Sequence, residues 1–153
     1  MHFARVKNMD LKNWVEDLVK GIEAPAPVAK DSVMLNELSL IDAIEGHISW
    51  KRNWFQSLKD KKPEAQNVAL VSSDCNCYVG KWIYSAGTIY QNMNEYKHLV
   101  SIHADFHQCA GRAVGLYTNG KVFDAVALTK GELNSLSKDV SMAILDLFSA
   151  VKK

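Results

Sequence analysis

The sequence predicts an all-α protein, an antiparallel four-helix bundle with additional short helices and an N-terminal amphipathic helix. Three observations carry that reading. Apolar residues recur three and four apart through several long segments, which is the period of a helix buried on one side. Capping residues, Asn-Gly and Pro punctuate those segments where helices would start and stop. The connections are short, which makes successive long helices antiparallel neighbours.

At 153 residues, 48% hydrophobic and 23% charged, the chain has the makeup of an ordinary globular protein. A chain of this size buries roughly 68–70% of the surface that its unfolded form exposes, so it needs no metal merely to possess a core. The formal charge of +1 arises from interspersed acids and bases. No basic block is long enough to suggest nucleic acid as a partner.

From about Asn8 to Ile22, Met9, Trp14, Val15, Leu18, Val19 and Ile22 fall at helical spacings and predict a short amphipathic helix. It reads as an appendage that either docks on the bundle or lengthens a dimer interface. Ala24 to Lys30 carries two of the three prolines and reads as a stiff linker. Residues 1–30 are therefore set apart from a main domain at 31–153. Charge interrupts every apolar run of the first twenty residues, and no later run is long enough to span a bilayer, so a cytoplasmic protein without membrane insertion is expected. Three cysteines, Cys75, Cys77 and Cys109, favour thiol, metal or redox roles over a structural disulfide in such a compartment.

In the main domain, Asp31 or Ser32 is the expected cap of a long helix with Leu40, Ile44, His47, Trp54 and Leu58 near one stripe, ending before Asp60-Lys-Lys-Pro63. Pro63 to Thr88 reads as short helices joined by turns, with Gly80 permitting a tight turn and Trp82 anchoring its segment by burial. A second long helix places Tyr96, Val100, His103, His107, Ala110, Val114 and Tyr117 along one seam and stops at Asn119-Gly120. Val122 to Leu128 reads as a short helix. Thr129 and Glu132 form the pattern of a capping box for the last helix, which buries Leu133, Leu136, Val140, Ala143 and Leu147.

His103 and His107 are four apart, so their rings leave one helix face a turn apart and can close on one ion. Placed in a core seam, each imidazole needs a partner, because an unpaired buried polar group costs about 1–3 kcal/mol. Zinc satisfies both, and His47 on the facing stripe supplies a third ligand. A cysteine completes the set. Cys77 heads Cys-Tyr-Val-Gly-Lys-Trp82, while Cys75 two residues earlier remains the competitor. Cys109 points away from the histidine face and reads as a small packing residue; His2 and His98 read as surface residues.

His47-Ile-Ser-Trp50, Cys77-Tyr-Val-Gly-Lys-Trp82 and His103-Ala-Asp-Phe-His107 occur in the order that marks the chemoreceptor zinc-binding (CZB) family. The chain resembles that family from about Leu38 to Val151. The resemblance implies one zinc per chain held by His47, Cys77, His103 and His107, and so selects Cys77 over Cys75. It also implies a regulatory module of bacterial signalling proteins, often dimeric, serving a chemoreceptor signalling domain or a diguanylate cyclase in cis or in trans. A single thiolate among three neutral imidazoles makes Cys77 the expected redox-sensitive ligand.

An enzyme is not expected. The position of the catalytic glutamate in a helical HExxH hydrolase is Ala104, and Asp105 points toward another face. Glu95-Tyr-Lys-His98 matches half of a di-iron pattern that requires a second copy, and the sequence has none. The other reading of the ligand set is a structural zinc in a dimerisation or interaction module that senses nothing.

Overall fold

A computed structural model describes residues 2–60 and 67–152, with side chains from Asn8 onward. The described chain is mostly helical: α1 (His2–Val19), α2 (Leu40–Lys59), α3 (Val68–Ser72), α4 (Tyr78–Ile83), α5 (Asn94–Thr118), α6 (Val122–Leu128) and α7 (Asn134–Val151). The long helix α2 stops at Lys59, before Asp60 as expected; the beginning of the mixed region, from Pro63, lies outside the described residues.

The helix α7 is the hub. It packs on α5, α1 and α2, and its inner face buries Val140, Ala143, Ile144, Leu145 and Leu147. On α1 the inner residues Leu11, Trp14, Val15 and Leu18 are buried in the same hydrophobic cluster, while Asp10, Asn13 and Glu16 face outward. The N-terminal helix α1 thus packs on the core through that face. The proline-containing stretch follows its surface, and Trp14 Nε1 donates to the carbonyl of Ala24 at 3.0 Å.

Two local readings need correction. The long helix α2 does not start at Asp31 or Ser32, which lie in a short 3-10 turn. Between that turn and α2 stands a two-stranded hairpin, β1 (Met34–Leu35) paired antiparallel with β2 (Leu38–Ser39). Its tip residues, Asn36 and Glu37, take left-handed φ values of 41° and 76°. Ser39 then caps α2 by accepting from the Asp42 amide at 3.2 Å.

The second correction concerns Thr129 and Glu132, which form no capping box. The backbone stays right-handed helical from Leu128 through Asn134, and Thr129–Leu133 is a π-helical turn joining α6 directly to α7. No helix start exists there to be capped. The Thr129 hydroxyl donates to the Ala125 carbonyl at 2.8 Å and accepts from Trp54 Nε1 at 3.1 Å, and Glu132 pairs with Arg112 at 2.7 Å. The end of α5 follows expectation, with Gly120 at φ 80° just past Asn119.

Candidate metal centre

Three elements converge at one point. His47 comes from the middle of α2, two turns beyond its cap; His103 and His107 come from successive turns of α5. Cys77 is itself the N-cap of α4, with its sulfur accepting from the Gly80 amide at 3.3 Å. The helix needs glycine at that third position, since a Cβ on Gly80 would collide with the Asp74 carbonyl. The expected tight turn is thus a close approach of two backbones. Trp82 secures the same helix from its buried side and donates its Nε1 hydrogen to the Asn36 carbonyl at 2.8 Å.

The four donor atoms of His47, Cys77, His103 and His107 all lie within 4.8 Å of one another. Cys77 Sγ stands 3.2 Å from His103 Nε2, 3.4 Å from His107 Nε2 and 4.0 Å from His47 Nε2. The two α5 rings approach to 3.2 Å between Nε2 atoms. Tetrahedral zinc requires about 3.3 Å between nitrogen donors and about 3.6 Å between sulfur and nitrogen; Cys77, His103 and His107 stand near those spacings, and His47 lies farther out, 4.0 Å from the sulfur.

The outer ring nitrogens orient two of the rings. His47 Nδ1 donates to the Ala43 carbonyl at 3.2 Å, and His107 Nδ1 donates to the Val71 carbonyl at 2.9 Å. A carbonyl only accepts, so both rings carry their proton on Nδ1 and turn the Nε2 lone pair inward. The inward lone pairs of His47 and His107, gathered with His103 Nε2 and the Cys77 sulfur, form a donor set suited to a cation. His103 Nδ1 is buried with no hydrogen-bond partner among the described residues.

Burial governs the electrostatics. It lowers the His47 pKa to about 4 and the His103 pKa to about 2, the latter helped by the neighbouring His47 and His107. His107 is lowered by burial too, against the opposing effects of the Val71 carbonyl and Asp74. All three imidazoles are therefore neutral near pH 7, as metal ligands must be. Burial pushes the Cys77 thiol up, so a thiolate here needs a cation beside it.

Exposure separates the ligands. His103 is fully buried and His47 nearly so, whereas Cys77 and His107 are half-buried. Cys75 is exposed, bonded to Ser73 Oγ at 3.1 Å, and outside the cluster; Cys109 is fully buried in the core, and all three cysteines are free thiols. His98 is exposed, and the side chain of His2 lies outside the described residues. The sequence reading missed the supporting carbonyls of Ala43 and Val71, for which no residue type is a signal. It also passed over Asp74, read only as part of a polar turn, which accepts from Tyr84 Oη at 2.6 Å and lies near Cys77 and His107.

No curated protein and no solved structure matches the chain. A family model does, over residues 47–114, a narrower span than the 38–151 of the motif resemblance but one that holds all four clustered donors. Residues 47–114 are thus similar to the chemoreceptor zinc-binding domain.

Proposed function

We propose that the chain is a zinc-binding regulatory module of bacterial signalling, of the chemotaxis or cyclic-di-GMP type, sensing zinc, oxidants or both through a site of one cysteine and three histidines. On this reading one zinc per chain is held by His47, Cys77, His103 and His107, within an antiparallel bundle of the four long helices. The observation that carries the sensing role is the difference in exposure between Cys77 and His103. A buried histidine on a long helix fixes the ion, while the half-buried cysteine that caps a six-residue helix is the donor more open to reagents in solution.

When bound, zinc holds the Cys77 sulfur as thiolate, the form that oxidants attack. In a reaction with peroxide the thiolate sulfur attacks one oxygen, the O–O bond breaks, hydroxide leaves, and Cys77 becomes a sulfenic acid. The oxidised sulfur is a weaker acceptor for the Gly80 amide and a weaker metal ligand. The cap of α4 and its attachment to the histidines are thus loosened together, and a signalling partner reads the shift. That partner is a chemoreceptor signalling domain or a diguanylate cyclase, in cis or in trans, and the module acts as a cytoplasmic homodimer.

The decisive experiment treats zinc-loaded protein with peroxide or hypochlorous acid, follows zinc release with a chromogenic chelator, and maps modified cysteines by mass spectrometry. Zinc release in step with Cys77 oxidation is expected. A complete four-donor set also suits a structural ion, and oxidation of Cys75 or Cys109 with zinc retained would establish that second reading instead.

A further inference from the structure

Beside the four-donor cluster lies a cavity of about 600 Å³ that touches His47, Cys77 and His107. Such a volume is within the range that holds a small organic ligand. Its walls are mainly apolar, with Ala43, Trp50, Val71, Phe106 and Ala110 inside and Leu70, 59% exposed, at the rim.

Two features give it the character of a binding site. One is Gly46, an exposed glycine in the body of α2 that lines the cavity. A helix-interior glycine costs about 1 kcal/mol relative to alanine. Nothing in the fold demands it: Gly46 has no left-handed φ, and an added Cβ would meet no atom within 4 Å. What the missing side chain preserves is open space in the cavity wall. The other feature is charge. Asp42 and Lys81 are the charged residues of the lining, and Asp42 is paired with Lys30 at 2.8 Å. Lys81 is exposed and makes no ion pair among the described residues, which leaves one cation facing an apolar chamber.

We propose that this cavity binds a small apolar carboxylic acid, its hydrocarbon body against the wall formed by Trp50 and Phe106 and its carboxylate at Lys81. The occupant covers the open side of Cys77. This site goes beyond the zinc-sensing reading and stands without it, since the ligand makes no bond to the ion.

Decanoate, below its micellar concentration, is the probe. Calorimetry on the zinc-loaded full chain should show saturable binding at one site, and amide and methyl resonances of Phe106 and Ala110 should move on titration. Gly46→Phe should fill the mouth and weaken binding at least about tenfold, with zinc content unchanged and the melting temperature not lowered. Lys81→Gln should weaken decanoate about two- to fivefold, the range of one exposed charge pair, and leave decanol unaffected. The absence of saturable binding, or resonance shifts confined to residues away from the cavity, would overturn the proposal whether or not Gly46→Phe folds. So would equal affinity for decanol and decanoate with no effect of Lys81→Gln. Zinc content measured on the same samples keeps a failed metal site distinct from a failed ligand site.

Discussion

The two sides of the metal centre are built on different principles. On the histidine side, α5 runs 25 residues and α2 runs 20, and both press buried faces into the common core. On the cysteine side, α4 is six residues long, and the half-exposed Cys77 follows an irregular stretch in which Cys75 and Asn76 are exposed. A helix of that length has no stability of its own. The lesson is that one donor set can combine donors carried on long core helices with a donor at the start of a short helix that is fastened by side-chain bonds to the hairpin.

Breaking the histidine side should have the largest effect. His103→Ala removes a fully buried ring. It should lower zinc affinity by about a hundredfold or more, one ligand's share of a structural site. It should also destabilise the protein, with chelator present, by about 2–4 kcal/mol through the cavity it leaves. Cys77→Ser should cost a similar factor in zinc affinity but less than about 1 kcal/mol in chelator, because the sulfur is half-exposed and serine still caps α4. Competition titrations and denaturant melts check both. Equal destabilisation of the two variants in chelator would erase the contrast.

Proton release sharpens the comparison. Near pH 7 the imidazoles are already neutral, with His47 near 4 and His103 near 2, whereas the Cys77 thiol is raised and still protonated. Loading zinc should therefore release about one proton per ion, from the cysteine side alone. Affinity should rise about tenfold per pH unit above pH 7 and level off only beyond the thiol's raised pKa. Calorimetry in buffers of different ionisation enthalpy measures the proton count, and a count near two or more would mean that a histidine is charged before binding.

Gly80→Ala should cost about 1–3 kcal/mol by forcing α4 away from the Asp74 carbonyl, and should weaken zinc through Cys77 without touching the histidines. The smallest effect on zinc belongs to Thr129→Val, remote from the site. Losing the bond to Trp54 Nε1 should cost about 1–2 kcal/mol with zinc affinity unchanged, and a change in zinc affinity would tie the π-helical turn to the metal centre.

These contrasts follow the line between what was legible in the sequence and what was not. Leu40, Ile44, His47, Trp54 and Leu58 repeat at helical spacing, and all five are buried on α2. The His103/His107 pair was readable for the same reason, since a four-residue step on a helix fixes where two rings point. The hairpin before α2 was not readable, because its tip is Asn36-Glu37 and lacks the glycine that advertises a two-residue turn. Thr129 and Glu132 misled because a capping box is a local pattern, whereas the Thr129 hydroxyl is claimed by a tryptophan 75 residues away. The carbonyls of Ala43 and Val71 that orient two rings belong to the backbone and leave no trace in residue type.

The hairpin tip bears on how fast the protein can respond. Asn36 accepts from Trp82 Nε1 at 2.8 Å through its carbonyl and donates from its Nδ2 to the Ala86 carbonyl at 2.7 Å, and the Ser39 amide donates to Tyr78 Oη at 2.8 Å. These bonds fasten both ends of α4 to the entrance of α2 with no contribution from an ion. Stripping zinc with a chelator should then leave circular dichroism nearly unchanged, with the thiol waiting close to the histidines. Recapture of the ion becomes a collision with a preformed site in place of a coupled folding event, so its rate should scale linearly with zinc concentration and lack the slow phase that rebuilding a domain would impose.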